Sequence, residues 1–280
     1  CSMKLKTSGK PNLNLSIGNM RNSNLHEVES LIVPIDLFDE IGIKINDKEY
    51  DEIIFKDNSD LSKNSTVHKA LLCLRRNTGL DKYFDISVNK CIPIQAGLGG
   101  GSSDAAAVMV SISNMLGLSL PDFATIAKDV GSDVPFFING KTSKIKGIGD
   151  EIKNFDIEQD LFFLVTVPVF GISTKAVFQE WDKLKNEDMK SKKFCFNDDI
   201  TIFNDSLKVA IRLEPKMKIF KETLEEALEK EVFITGTGST LFSIYNSEEE
   251  AEYAKSNVDI DNRLLLVTKK IDYSYKELSD

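Results

Sequence analysis

The stretch from Pro93 to Ala107, P-I-Q-A-G-L-G-G-G-S-S-D-A-A-A, restricts the possible fold more than any other part of the chain. Ahead of it, Asp85-Ile86-Ser87-Val88-Asn89 alternates polar and apolar residues, the pattern of a half-buried strand. Behind it, Ala105, Val108, Met109, Ile112, Met115 and Leu116 recur at helical spacing, and Gly117 supplies a stop. The spacing predicts a strand that runs into a glycine-rich loop, which opens a helix near Ser102. Gly97, Gly99, Gly100 and Gly101 leave that loop nearly bare, so its N–H groups can approach a ligand closely. The free amides and the positive end of the helix dipole attract anions to the same point. Ser102 and Ser103 add hydroxyls suited to phosphate oxygens or a metal ion. Neither of two common nucleotide loops is present: no Gly-Lys-Ser/Thr follows the glycines, and they do not fit G-x-G-x-x-G.

With 280 residues the chain can bury a sizeable core, as one large or two medium domains. No apolar run approaches the length of a membrane span, and no long apolar leader is visible, so a cytoplasmic location is expected. Cys1, Cys73, Cys91 and Cys195 lack paired spacing; they read as buried thiols of a reducing compartment, with neither a zinc site nor a disulfide framework. A net charge of −9 argues against nucleic-acid or anionic-membrane partners. A nucleotide would have to meet positive charge that is concentrated locally.

Along the chain, Leu13, Leu15 and Ile17 alternate with polar residues as a strand with one wet face. Lys10, just ahead of it, reads on its own as a solvated lysine, and His26 as a surface or structural residue. From Ile32 to Ile45 two β-rich segments are expected on either side of Asp36 to Glu40, and residues 50–65 read as loop-rich. Helices are predicted over Thr66–Thr78 and Pro121–Val130. Gly131-Ser132-Asp133-Val134-Pro135-Phe136-Phe137 then sets one acid against an apolar run, where its charge would respond to Lys10 if the two meet. Beyond Asn154 the pattern predicts a strand at Leu161–Val167, helices at Thr174–Leu184, Thr201–Leu213 and Pro215–Lys230, and a charged surface stretch from Lys185 to Lys193. Strands Val232–Thr235 and Thr240–Tyr245 flank a Gly236-Thr237-Gly238-Ser239 turn, followed by helix Ser247–Ser256 and strand Arg263–Lys270. This order gives an α+β layer sandwich in two domains, 1–153 and 154–280.

The loop resembles the phosphate loop of the GHMP kinases, which include galactokinase, homoserine kinase and mevalonate kinase. Its full string A-G-L-G-G-G-S-S-D-A-A is most similar to the branch that acts on a cytidine diphosphate-linked polyol. The resemblance implies a ribosomal S5 domain 2-like N-terminal domain and a ferredoxin-like C-terminal one, with the active site in the cleft between them. It implies transfer of the γ-phosphate of ATP, with Mg2+, to the 2-hydroxyl of 4-diphosphocytidyl-2-C-methyl-D-erythritol, by a monomer or homodimer. Lys10 and Asp133 would be catalytic; Lys90, Pro93, Gly97, Leu98, Gly99, Gly100, Gly101, Ser102 and Ser103 would bind ATP. Asn12, His26, Asp133, Thr174, Phe178, Gly236, Thr237 and Gly238 would hold the acceptor, with no metal ligand assigned. In that scheme His26 bonds the edge of the cytosine and Phe178 forms one wall of its slot; Leu25 stands where the family has a tyrosine. Two other readings stay open: a GHMP kinase with another acceptor alcohol such as homoserine, mevalonate or a sugar, and a nucleotide-binding protein of this fold without turnover.

Overall fold

The computed structural model describes residues 2–21, 24–56, 64–119, 123–184 and 189–279. In chain order the first half contains β1 (Ser2–Gly9), β2 (Asn12–Met20), β3 (His26–Ile32), β4 (Ile35–Asn46), β5 (Glu52–Phe55), α1 (Thr66–Thr78), β6 (Tyr83–Asn89), α2 (Gly100–Leu116), α3 (Phe123–Ala127), α4 (Val134–Asn139), β7 (Ser143–Lys146) and β8 (Glu151–Asn154). The second half contains β9 (Phe162–Pro168), α5 (Thr174–Lys183), β10 (Phe194–Cys195), β11 (Thr201–Asn204), α6 (Ser206–Leu213), α7 (Lys216–Leu228), β12 (Phe233–Ile234), β13 (Leu241–Tyr245), α8 (Glu248–Ser256), β14 (Asn262–Lys269) and β15 (Tyr275–Glu277). Among the described residues these strands form three sheets, with strand orders β15-β1-β4-β6-β5, β10-β11-β2-β3-β7-β8 and β12-β13-β9-β14.

Helix α2 is the centre of the first half. Ala105, Ala106, Ala107, Val108, Met109 and Ile112 on it are all fully buried, as expected of a helix that is apolar nearly all round. The small alanines let α1, α4 and strand β1 come close. Phe84, Phe136 and Phe137 fill the same core. In the second half, α5, α6 and α7 share one core with Ile234 and Leu241 of the four-stranded sheet.

The division expected at 153/154 does not coincide with the division of the sheets. Strand β11 pairs in parallel with β2, with Phe203 opposite Asn14, and β15 pairs antiparallel with β1. The helix expected over Thr201–Leu213 is in fact this strand followed by α6. Thr201, Ile202 and Phe203 favour a pleated surface, and the buried Asp205 carboxylate accepts the Ile17 N–H at 3.2 Å, tying the strand end to β2. Residues 36–40 do not interrupt the chain either; β4 is continuous over 12 residues. Its acids are accommodated individually: Asp36 accepts the Lys269 N–H at 2.7 Å, and Asp39 is paired inside. A short strand, β5, lies within the stretch expected to be loop-rich. Cys73 is buried, but Cys91 and Cys195 are exposed, contrary to the expectation of buried thiols; all three are free. Pro121 and residues 185–188 of the 185–193 stretch lie outside the described residues.

Candidate active site

Between β6 and α2 the chain folds as the spacing predicts, except that the helix opens two residues earlier, at Gly100. Its N-cap is Gly99, which has a left-handed φ of 71°. A Cβ at Gly99 would lie 2.9 Å from Lys10 Cε and from the Phe137 ring, so only glycine lets this turn sit against both. The loop borders a cavity of about 500 Å³, within the usual range for a small-molecule site.

Lys10 lies in the link between β1 and β2 and is only 3 % exposed. Its ammonium donates to Asn12 Oδ1 at 2.6 Å and to the Gly97 carbonyl at 3.2 Å. Asp133 Oδ2 stands 3.3 Å away. Asp133 occupies the cap position of α4, yet its side chain makes no capping bond, and it remains about one-third exposed. The carboxylate is thus free to face the cavity, with a buried ammonium as its neighbour. A lysine at the chain's start and an acid from its middle meet beside the glycine loop.

The second half closes over the same place. Thr235 Oγ1 accepts the Asn12 N–H at 2.8 Å and lies 3.2 Å from the Gly97 carbonyl. Thr174 and Thr237 hydroxyls bond at 2.9 Å, and the Thr240 N–H donates to the Ala96 carbonyl at 3.1 Å. Asn204 Nδ2 holds the Gly236 carbonyl at 2.9 Å. At Gly97, with φ 77°, an added Cβ would stand 2.4 Å from the Thr235 carbonyl oxygen, which is backbone and cannot step aside. The Gly97→Ala variant is therefore expected to push the 235–239 turn off the loop and to lower kcat/KM about 5- to 150-fold, from a steric and backbone cost of about 1–3 kcal/mol. Steady-state kinetics on folded protein, with folding checked by circular dichroism, measures it; unchanged kinetics would show that the contact is dispensable.

Of the residues expected from sequence, Lys10, Asn12, Lys90, Pro93, Gly97, Leu98, Gly99, Gly100, Gly101, Ser102, Asp133, Thr174, Phe178, Gly236 and Thr237 all line the cavity. His26, Ser103 and Gly238 do not. Ser103 is 1 % exposed, and its buried hydroxyl has no hydrogen-bond partner among the described residues. Gly238 packs towards Ile234 and Ile172. His26 stacks directly on Phe178, with ring centroids 5.0 Å apart and planes 22° from parallel, and its Nε2 lies 3.0 Å from Asp182 Oδ1. The two rings expected to frame a base are in contact with each other. Leu25 is 48 % exposed.

Sequence reasoning missed two carboxylates under the loop. Asp39 and Asp104, 0 % and 1 % exposed, both pair with the Lys90 ammonium. Burial and the Asp104 charge push the Asp39 carboxyl up to about 7, against the pull of Lys90 and the Ile92 amide. Burial works to lower the Lys90 pKa, but the Asp104 and Asp39 charges outweigh it and hold the ammonium above its ordinary value. The signal was there to read: Ile35, Leu37, Ile41 and Ile43 mark the inward phase of β4, and Asp39 falls on that phase.

Residues 65–141 match the family model described as the GHMP kinases N terminal domain, and residues 193–262 match the GHMP kinases C terminal model. The 4-diphosphocytidyl-2-C-methyl-D-erythritol kinase of Geobacter metallireducens is 32 % identical over 268 residues, covering 92 % of this chain and 94 % of the relative. The enzyme of the same name from Thermodesulfovibrio yellowstonii is 31 % identical, covering 89 % and 92 %. Among solved structures, a 4-(cytidine 5'-diphospho)-2C-methyl-D-erythritol kinase superposes with a TM-score of 0.74 at 23 % identity, covering 95 % of this chain and 98 % of that one. The homoserine kinase of Cytophaga hutchinsonii superposes at 0.67 with 15 % identity, covering 99 % and 97 %. With both family domains matched in order and a 32 % identical relative aligned over nine-tenths of its length, the chain belongs to the GHMP kinase family.

Proposed function

We propose that this protein transfers the γ-phosphate of ATP to the 2-hydroxyl of 4-diphosphocytidyl-2-C-methyl-D-erythritol. The observation that carries the reading is the 3.3 Å approach of the Lys10 ammonium to the Asp133 carboxylate at the edge of the glycine-loop cavity. The names of the relatives supply the acceptor. In this reading the bare amides of residues 97–101 and the α2 dipole hold the polyphosphate. Asp133 accepts the proton of the acceptor hydroxyl as its oxygen bonds to the γ-phosphorus, and the bond to the β-phosphate oxygen breaks to release ADP. Lys10, fixed by Asn12 and the Gly97 carbonyl, offsets the charge on the phosphoryl group in flight. Positioning and electrostatics carry the rate, with no covalent enzyme intermediate.

No group of three or more His, Cys, Asp or Glu residues that could hold a metal occurs among the described residues. Ser102 and Asp133 line the cavity and fit a hard divalent ion that keeps its waters and shares phosphate oxygens. Bound there, Mg2+ would neutralise charge on the β- and γ-phosphates. No helix among the described residues is long and apolar enough to cross a membrane.

A coupled ADP-release assay over a panel of acceptors tests the assignment. Release is expected with the cytidine diphosphate-linked methylerythritol and not with homoserine, mevalonate or galactose. Release with one of those instead would move the chain to another branch, and ATP binding without any release would make it a silent nucleotide-binding protein.

A further inference from the structure

The glycine loop has two ends, and a single buried cluster grips both. At the strand end, Asp39 of β4 accepts the backbone N–H groups of Cys91 and Ile92 on Oδ1, at 2.6 and 2.8 Å. Its Oδ2 pairs with the Lys90 ammonium. At the helix end, Asp104 of α2 accepts that ammonium at 2.9 Å on Oδ2 and the Thr7 hydroxyl of β1 at 2.8 Å on Oδ1. Every oxygen of the two carboxylates is therefore engaged. The ammonium has three N–H groups, of which the carboxylates take two. Lys90 lines the nucleotide cavity and its side chain is 12 % exposed. Its Nζ lies only 3.0 Å from the place a Cβ on Gly100 would occupy, directly beneath the start of α2.

We infer that Asp39 is a positioning residue for nucleotide binding: it acts through Lys90, aiming the ammonium's remaining N–H into the cavity while pinning the backbone that enters the loop. The inference rests on the cavity being the ATP site. Two buried carboxylates around one ammonium are a costly arrangement, and burial together with the Asp104 charge raises the Asp39 carboxyl accordingly. What the arrangement provides is direction. In Asp39→Asn the amide oxygen must stay with the Cys91 and Ile92 N–H groups, which turns the amide NH2 towards Lys90, donor against donor. The ammonium is then displaced towards Asp104 and out of line with the cavity.

The test is a double-mutant cycle on KM for ATP, with KM for the acceptor measured alongside. Asp39→Asn is expected to raise KM for ATP about tenfold and to leave KM for the acceptor within about twofold. In a Lys90→Met background the same change is expected to shift KM for ATP less than about twofold, because the group it acts through is gone. Lys90→Met/Asp104→Asn, which removes one charge of each sign, provides a second background should the single variant not accumulate as folded protein. An unchanged KM for ATP in Asp39→Asn, a lowered one, or an equal rise in both backgrounds would overturn the inference. If the wild type releases no ADP with any acceptor, the functional reading fails instead; Kd for a nonhydrolysable ATP analogue then takes the place of KM in the same cycle.

Discussion

The Asp133→Asn variant is expected to turn over at no more than about one-hundredth of the wild-type rate, with its fold intact and KM for ATP little changed. The fold survives because this side chain makes no capping bond to α4 and is about one-third exposed, and its buried partner Lys10 keeps Asn12 Oδ1 and the Gly97 carbonyl as acceptors. The isosteric amide still offers Lys10 an oxygen, but it cannot take a proton from the acceptor hydroxyl. Removing a positioned proton acceptor commonly costs a factor of about 10²–10⁴. A loss confined to the chemical step lowers kcat and kcat/KM together, which separates it from a binding defect. The coupled ADP assay, with a thermal melt as the control for folding, reads all of this. Near-normal turnover would remove Asp133 from the chemistry.

Lys10→Ala is expected to cost at least about a hundredfold in kcat as well, for a different reason. The ammonium is 97 % hidden from solvent together with its stem and is fixed by Asn12, the Gly97 carbonyl and Asp133. A charge preorganised in a dry site needs no reorganisation as the phosphoryl group moves, and water that enters in its place does. Lys10→Met keeps the stem that packs beneath Gly99 and removes only the charge. Equal losses in the two variants would assign the effect to the charge. A large loss in Lys10→Ala with near-normal turnover in Lys10→Met would assign it to packing and remove the electrostatic role.

Much of the site could be read from the sequence because its determinants are local. A strand, four glycines and an apolar helix repeat within 32 residues dictate the loop, and α2 follows it. The paired helices and strands of the second half follow from their own periodicity. What escaped depends on long-range pairing. Thr201–Asn204 reads as helix in isolation and becomes a strand because the edge of β2 is there to receive it. Residues 36–40 look like a break because three of the five are acids, and one of them, Asp39, falls on the inward face; nothing local announces that Lys90, 51 positions on, awaits it. The meeting of Lys10 with Asp133 came from family resemblance, since neither residue stands out alone. The cytosine slot is where resemblance and geometry part most: Leu25 is exposed, and His26 stacks on Phe178.

A crystal structure of the protein with a nonhydrolysable ATP analogue and the acceptor bound together bears most directly on the proposal. The terminal phosphate should lie over the 97–101 amides with an oxygen about 2.6–3.2 Å from Lys10 Nζ, and the acceptor hydroxyl should lie as close to the Asp133 carboxylate. A triphosphate seated away from Lys10, or an acceptor hydroxyl beyond the reach of Asp133, would contradict it.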